Sequence, residues 1–258
     1  MIQLIYFIVI LLACILGAIV GLGGGVFIRP IFDALGFHDV LNIAFFSSSA
    51  IFTMAIVSTA KKLRDGVKIN AKVVLAISLG AVVGGVLGNL LLEYLVANMS
   101  SETYVQRVQI VATVIVLGLS IFFTTRNTLR VEVKARAFPL VLGVALGAVA
   151  TFLGIGGGPI NVPILMIFFG LGMKDATAYS IVIIFFSHLS RLVTMGMTVG
   201  YGHFDLVILT FVIPAAIIGG LTGANFSRIF SENTVKRLFI AAISGVIVLN
   251  IFNGLFLV

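Results

Sequence analysis

The amino-acid sequence predicts an all-α integral membrane protein that crosses the bilayer several times. Of its 258 residues, 60% are hydrophobic and only 10% are charged, and the mean hydropathy is +1.25. Soluble domains are typically about 45–50% apolar and about 25% charged. The apolar residues also form long runs, and a helix needs about 20 such residues to cross a bilayer. This composition leaves no room for a separate soluble domain.

Eight apolar runs are candidates for membrane helices, and two shorter runs accompany them. The eight runs are residues 2–20, 41–60, 73–97, 105–124, 137–153, 176–199, 204–226 and 235–257. The first run lacks the basic start of a cleavable signal, so we expect a retained membrane helix. The shorter runs, 26–37 and 159–172, would form helices of only about 18–21 Å, too short to cross the bilayer core alone.

Two glycine-rich stretches mark an internal duplication. Gly21 to Gly25, followed by Pro30, matches Gly154 to Gly158, followed by Pro163, at a constant offset of 133 residues. Further matches at offsets of 130 to 136 residues pair Gly66 with Gly202, Gly84-Gly85 with Gly219-Gly220, and Ser101-Glu102 with Ser231-Glu232. The sequence therefore predicts three segments: a first membrane repeat (1–126), a basic cytoplasmic linker (127–136) and a second membrane repeat (137–258).

The basic residues favour two repeats of opposite orientation. If each glycine stretch only interrupted a spanning helix, the loops would hold nine Lys and Arg residues on one side and five on the other. If each stretch turns the chain back, thirteen lie on one side and Arg107 alone on the other. The positive-inside rule favours the second arrangement, with both termini outside. Inverted repeats with discontinuous helices are typical of secondary transporters.

Each glycine stretch also has the features of an anion-binding turn. Glycine lets the backbone approach a ligand closely, and the helix that begins just after the turn places the positive end of its dipole there. The alternative is that these glycines only allow helices to pack closely, as small residues do in membrane proteins. The candidate binding residues are Gly23, Gly24, Gly25, Gly156, Gly157 and Gly158, with Asn161 in the first turn of the second short helix.

Arg191 is the most informative single residue, because it lies within an apolar run. A charge at the centre of a membrane helix costs about 2.5–3.5 kcal/mol on insertion scales, so it usually faces a cavity or a partner. The alternative is that the side chain extends to the nearer membrane surface. His188, three residues before it, is a second candidate, and its alternative is an ordinary hydrogen-bonded interior histidine.

Hydroxyl groups in the first half form a further candidate set. Ser47 and Ser48, in the run Ser47-Ser48-Ser49, could bind an oxyanion or bond back to carbonyls one turn earlier. Arg29 stands four residues before Asp33. That spacing is compatible with a structural ion pair on a helix and also with an anion gate.

Several function classes are not supported by the sequence. It contains no phosphate-loop lysine motif, redox pair or nucleophile constellation, so we predict neither an enzyme nor a cofactor. One cysteine, Cys14, excludes an internal disulfide and a cysteine-only metal site, and three scattered histidines do not predict a metal cluster. The net charge of +7 comes mainly from short loops. It therefore indicates membrane topology rather than nucleic-acid binding.

The paired glycine stretches, each after a membrane helix and followed by a proline, resemble the signature of the TauE/SafE sulfite exporter family. The residues that show it are Gly21 to Pro30 and Thr151 to Pro163. The resemblance covers the whole chain. It implies a multi-pass protein of the prokaryotic inner membrane that moves sulfite, sulfoacetate or a related sulfonate.

We therefore expect a secondary transporter of a small sulfur-containing oxyanion that works by alternating access, one repeat-derived bundle rocking against the other. The lipid bilayer and that anion are its expected partners, and a homo-oligomer is left open. Two alternatives share the same sequence features: a passive anion channel and a membrane scaffold with no transport activity.

Overall fold

The chain folds almost entirely into helices. The structure, a computed structural model, describes residues 2–98, 102–126, 135, 137–153 and 156–256, and this part of the chain contains no strand. Its α-helices are α1 (Ile2–Val20), α2 (Gly25–Leu35), α3 (Val40–Arg64), α4 (Ala71–Asn98), α5 (Glu102–Thr125), α6 (Phe138–Leu153), α7 (Gly158–Phe169), α8 (Met173–Thr198), α9 (Leu206–Ile229) and α10 (Glu232–Phe256). A 3₁₀ turn, Tyr201–His203, precedes α9.

Seven of these helices, all except α2, α6 and α7, are long and apolar enough to cross a membrane. The all-α membrane fold that the sequence predicts is therefore confirmed. The predicted run 137–153 forms α6, whose 16 residues extend about 24 Å. The predicted basic linker, 127–136, lies outside the described residues except for Ala135, so the division into three segments stays a prediction.

The first glycine stretch turns the chain back on itself. Gly21, Gly23 and Gly24 all have positive φ angles, between 72° and 80°, a region that is costly for residues with a Cβ. After the turn, α2 runs antiparallel to α1. A Cβ at Gly24 would be 3.0 Å from the Ala13 carbonyl oxygen, and the Phe32 ring stacks on Tyr6 with centroids 3.9 Å apart. The helices α1 and α2 thus form a hairpin.

The second half contains a matching hairpin. Gly156 and Gly157 have φ angles of 71° and 79°, and a Cβ at Gly157 would be 3.4 Å from the Ala150 Cβ. At the other end of the hairpin, Phe138 in α6 and Phe168 in α7 have ring centroids 5.1 Å apart. Therefore α7 returns along α6. Like α2, which ends at Gly36, α7 ends at a left-handed glycine, Gly170.

Glycines also let helices from different halves of the chain touch through their backbones. In α4, a Cβ at Gly84 would overlap the carbonyl group of Val144 in α6. In α9, a Cβ at Gly223 would overlap the carbonyl oxygen of Ile15 in α1. Such close approach increases van der Waals contact between membrane helices. Helix α4 of the first half therefore packs on α6, and α9 of the second half packs on α1.

As a result, the buried side chains form two clusters that do not follow the two halves of the sequence. The first core lies among α1, α2, α3, α9 and the later part of α8, and its members include Tyr6, Phe32, Phe46, Met54 and Val212. The second core lies mainly among α4 to α8 and α10, and its members include Ile77, Leu117, Leu165, Ile183 and Phe239.

Charged side chains gather at one end of the bundle, which we call the basic end. Asp65, just after α3, pairs with Lys61 at 2.7 Å and with Arg228 of α9 at 3.3 Å. The Nζ atom of Lys174 donates to the carbonyl oxygen of Arg228 at 2.9 Å. At the opposite end, Tyr6 and His38 share a 2.8 Å hydrogen bond. That the basic end faces the cytoplasm remains a prediction.

Candidate functional site

A small pocket lies between the two hairpins, where α2, α3 and α8 approach each other. In this conformation its volume is about 10 Å³, close to the space that one water molecule needs. Elements from both halves of the chain line it. The lining residues are Gly25, Arg29, Ala44, Ser47, Ile51, Gly156, His188 and Arg191.

The tips of the two hairpins meet beside this pocket. A Cβ at Gly158 would overlap the backbone of Leu22 in the opposite turn. The first turn is also fixed to α8, because Ser180 Oγ donates a 2.7 Å hydrogen bond to the Gly21 carbonyl oxygen. Gly23 packs against Ile51 and Ile184. The glycines thus allow a contact between turns that no larger residue would permit.

After each turn, a helix begins at or near the pocket. Gly25, the first residue of α2, lines the pocket, and no side chain caps the helix at Gly24. In the second hairpin Gly156 lines the pocket, two residues before α7 begins at Gly158. Because the first backbone N–H groups of a helix lack partners within the helix, its start attracts negative charge.

Two arginines contribute full positive charges. Arg191 lies within α8, and its exposed side chain belongs to the pocket lining. Arg29, half-buried in the second turn of α2, belongs to the same lining. None of the lining residues that the structure describes is an Asp or a Glu. The pocket is therefore electrostatically suited to an anion.

Polar groups that can donate hydrogen bonds complete the pocket. Ser47 lines it, and so does His188, which is 4% exposed. The Nδ1 atom of His188 has no hydrogen-bond partner within the described part of the chain. Its Nε2 atom would be 3.5 Å from a Cβ at Gly156. A buried polar atom without a partner is costly, so a ligand that supplied one would be favoured.

The pocket gathers five of the residues that the sequence singled out: Gly25, Ser47, Gly156, His188 and Arg191. The glycines Gly23, Gly24, Gly157 and Gly158 form the turns next to it. Ser48 is fully buried in α3, outside the lining, and its Oγ has no described partner. Asn161 is buried near Gly157, also outside the lining. The binding roles of all these residues remain predictions.

Sequence reasoning left the role of Arg29 undecided and did not single out Ala44 or Ile51. A signal for Arg29 was present, because it stands four residues after Gly25. Residues four apart share a helix face, so a glycine aimed at a ligand implies that Arg29 points the same way. Ala44 and Ile51 carried no such signal, since apolar residues occur all around a membrane helix.

Apolar helices long enough to span a membrane, two glycine-tipped hairpins and a positively charged pocket between them are the features of a multi-pass membrane transporter. Comparison with known proteins agrees with this class. The chain belongs to the TauE/SafE family, since the family profile described as Sulfite exporter TauE/SafE matches residues 6–249.

Individual relatives carry names of the same kind. The probable membrane transporter protein YdhB of Bacillus subtilis is 26% identical over 253 residues, which cover 96% of this chain and 100% of that protein. YunE of the same organism, also a probable membrane transporter protein, is 33% identical over 101 residues, covering 38% of this chain and 36% of that protein.

A longer relative matches only in part. The probable membrane transporter protein MamO of Paramagnetospirillum magneticum is 27% identical over 118 residues, or 44% of this chain. The match spans only 18% of the length of MamO. No solved structure shows significant similarity to the chain.

Proposed function

We propose that this membrane transporter is a secondary carrier of a small sulfur-containing oxyanion, such as sulfite, sulfoacetate or a related sulfonate. The observation that supports this proposal is the composition of the pocket. Two arginines, Arg29 and Arg191, and the start of α2 bring positive charge to one small space, and none of its described lining residues is acidic. The sulfur chemistry is supported by the description of the family that the chain matches.

The pocket chemistry suits a tetrahedral or pyramidal oxyanion. A guanidinium group offers parallel N–H donors that match two oxygens of a carboxylate, phosphate or sulfonate. In our proposal Arg191 makes this paired contact, while Ser47 and His188 donate to the remaining oxygens. Backbone N–H groups of the turns that contain Gly23 to Gly25 and Gly156 to Gly158 approach from the hairpin tips.

We further propose that transport proceeds by alternating access, with the two cores as the moving bodies. Arg29, Ser47 and Ile51 belong to helices of the first core, whereas Gly156 lies in the second hairpin. A pocket between two separately packed bodies opens to one side or the other when they rock. Its small volume in this conformation supports a gated carrier over an open pore.

The moving bodies would then differ from the two halves of the sequence. The second body contains α4 and α5 of the first half, and the first body contains α9 and the later part of α8 of the second half. We retain the proposal of inverted repeats with both termini opposite the basic end. It is supported by the two matching hairpins and by the equivalent α1–α9 and α6–α4 contacts.

Ligand-dependent thermal stability of the purified protein in detergent tests the anion and the site together. The panel is sulfite, thiosulfate, sulfate, sulfoacetate, taurine, acetate and chloride. A ligand that binds only the folded state stabilises it by about 2.7 kcal/mol at a hundredfold excess over Kd. We expect a selective shift for one sulfur oxyanion that is absent in Arg191→Ala and preserved in Arg64→Ala. Arg64 is an exposed arginine at the end of the same membrane bundle, away from the pocket.

Uptake into proteoliposomes separates the carrier from its alternatives. A carrier shows saturation and counterflow, a passive channel shows neither, and a scaffold shows no uptake. No stabilisation by any sulfur oxyanion, or a shift that survives in Arg191→Ala, would contradict the proposed site and substrate class.

A further inference from the structure

One face of α3 continues from the pocket to the basic end. The pocket residues Ala44, Ser47 and Ile51 are three and four residues apart, the spacing of neighbours on one side of a helix. The same spacing continues through Ala55 to Ser58 and Lys62. Because a helix rises 1.5 Å per residue, Lys62 lies about 16 Å beyond Ile51 along this face.

Lys62 is a buried cation. Only 5% of it is exposed, and its Nζ donates a 3.0 Å hydrogen bond to Ser227 Oγ in α9. Within the described part of the chain, the ion pairs of the basic end involve Lys61 and Arg228 but not Lys62. An ammonium group has three donors, and burying it without a counter-charge is costly. Two charged residues at the start of α8 interact with the ammonium group of Lys62: Lys174 repels it and Asp175 attracts it.

Ser58, one helical turn from Lys62, is a buried polar residue. Ser58 is 0% exposed, and its Oγ has no hydrogen-bond partner within the described part of the chain. Ser58 stands one helical turn before Lys62, on the same face of α3. Ser227 is likewise buried, with 3% of it exposed. A buried cation bonded to one hydroxyl thus lies one helical turn from a second buried hydroxyl, and the hydrogen-bonding capacity of these groups is only partly used.

We propose that Ser58, Lys62 and Ser227 form a second anion site on the pocket side of the basic end, where the path along α3 from the central pocket ends. It rests on the proposed function, since its ligand is the same small oxyanion during passage along α3. The ammonium group supplies the counter-charge, Ser58 donates from one side, and Ser227 donates once Lys62 turns to the ligand. Because Lys62 is buried from the surface, the ligand is a small anion that arrives through the protein rather than a lipid headgroup.

The site has a defined role in transport. An anion that leaves the central pocket travels about 16 Å along α3 through mostly apolar protein, where dehydrated charge is costly. A cation at the far end of this path stabilises the anion before it reaches water, without changing affinity at the central pocket. The expected signature is therefore a loss of transport rate with central binding preserved.

The test compares Lys62→Met, Ser58→Ala and the control Lys68→Met, an exposed lysine in the loop after α3. The probe is the sulfur oxyanion that stabilises the wild-type protein most. In Lys62→Met we expect counterflow to fall about tenfold or more, because one hydrogen bond between the anion and a charged group is lost. Thermal stabilisation by the anion should be unchanged. Ser58→Ala should reduce counterflow about threefold, and Lys68→Met should leave it unchanged.

Calorimetric titration separates passage along α3 from binding at the central pocket. The Kd of the anion should be unchanged in Lys62→Met and Ser58→Ala, and binding should be lost in Arg191→Ala. Counterflow at the wild-type rate in Lys62→Met, or loss of anion binding in that variant, would overturn the second site. If the wild-type protein neither binds nor transports a sulfur oxyanion, the proposed function itself fails, and this outcome is distinct from the other two.

Discussion

The two hairpins of this protein have the same backbone conformation at their turns but carry different charged side chains. Each reverses at left-handed glycines, ends at a left-handed glycine, and is followed by a long helix that lines the pocket. The first hairpin carries an arginine, Arg29, within α2. The second half carries its arginine, Arg191, in the long helix after the hairpin. At the matching offsets the partner positions are Val162 and Ala55.

This difference shows what a duplicated scaffold can and cannot determine. Duplicated glycine turns give two helix starts that meet at one place, which suits binding from either side of a membrane. The charged groups, in contrast, are placed once each and from non-equivalent elements. In the proposed carrier the anion is consequently held by both bodies together, and neither hairpin would form the site alone.

The largest expected effect concerns the aligned glycines at the helix starts, Gly25 and Gly158. A Cβ at Gly158 meets the backbone of Leu22, whereas a Cβ at Gly25 meets the end of the Ile51 side chain at 2.5 Å. Overpacking that forces a backbone shift costs about 3 kcal/mol, and a flexible side chain yields for less. We expect Gly158→Ala to lower thermal stability strongly and Gly25→Ala only slightly. Equal losses in the two variants would show that the hairpins are packed alike.

The next effect concerns the two arginines. We expect Arg191→Ala to weaken anion binding by about 100-fold, because the paired N–H donors of its guanidinium group are lost. Arg29→Ala should weaken binding by about tenfold, because the positive start of α2 remains beside the ligand. Titration calorimetry with the stabilising anion measures both, and Arg191→Lys tests whether paired N–H donors matter. In the double variant the two losses should not add, as expected for groups that share a ligand. Fully additive losses would indicate separate binding positions.

The smallest effect concerns the basic end, where Asp65 of the first half contacts Arg228 of the second. The hydrogen bond from Lys61, with Arg228 adding to it, lowers the pKa of the Asp65 carboxyl below its ordinary value. A lowered folded-state pKa stabilises the protein above the unfolded-state value of about 3.9, and this stability is lost as pH falls through the lowered pKa. Asp65→Asn should therefore cause a small loss of thermal stability at neutral pH and little change at a pH below the lowered pKa. A loss of the same size at both pH values would point to packing rather than charge.

Sequence reasoning predicted the membrane class and the helical spans because long apolar runs determine them locally. It also placed Gly25, Ser47, Gly156, His188 and Arg191 as candidates, and the structure brings these five to one pocket. It did not predict which helices touch across the halves. A membrane helix is apolar on all sides, so its periodicity does not reveal the face that meets a partner.

Lys62 shows the same limit for charged residues. By position it counts as one of several loop cations that set the orientation of the chain, and the structure instead buries it against Ser227. One-dimensional spacing gives the side of α3 on which a residue lies. It does not give the neighbouring helix, which in this case comes from more than 160 positions later in the chain.

The exchange of α4 and α9 between the cores has a consequence for biosynthesis. Helix α1 is synthesised before α9, and the glycine-lined surface of α9 that it packs against follows about 200 residues later. Synthesis proceeds at about 5–20 residues per second. For this interval of roughly ten seconds or more, the nascent first half has an incomplete neighbour set in the lipid. The order in which helices insert therefore differs from the order in which they pack. If translation stopped before α9, the chain would be inserted in the membrane without its full set of helix contacts.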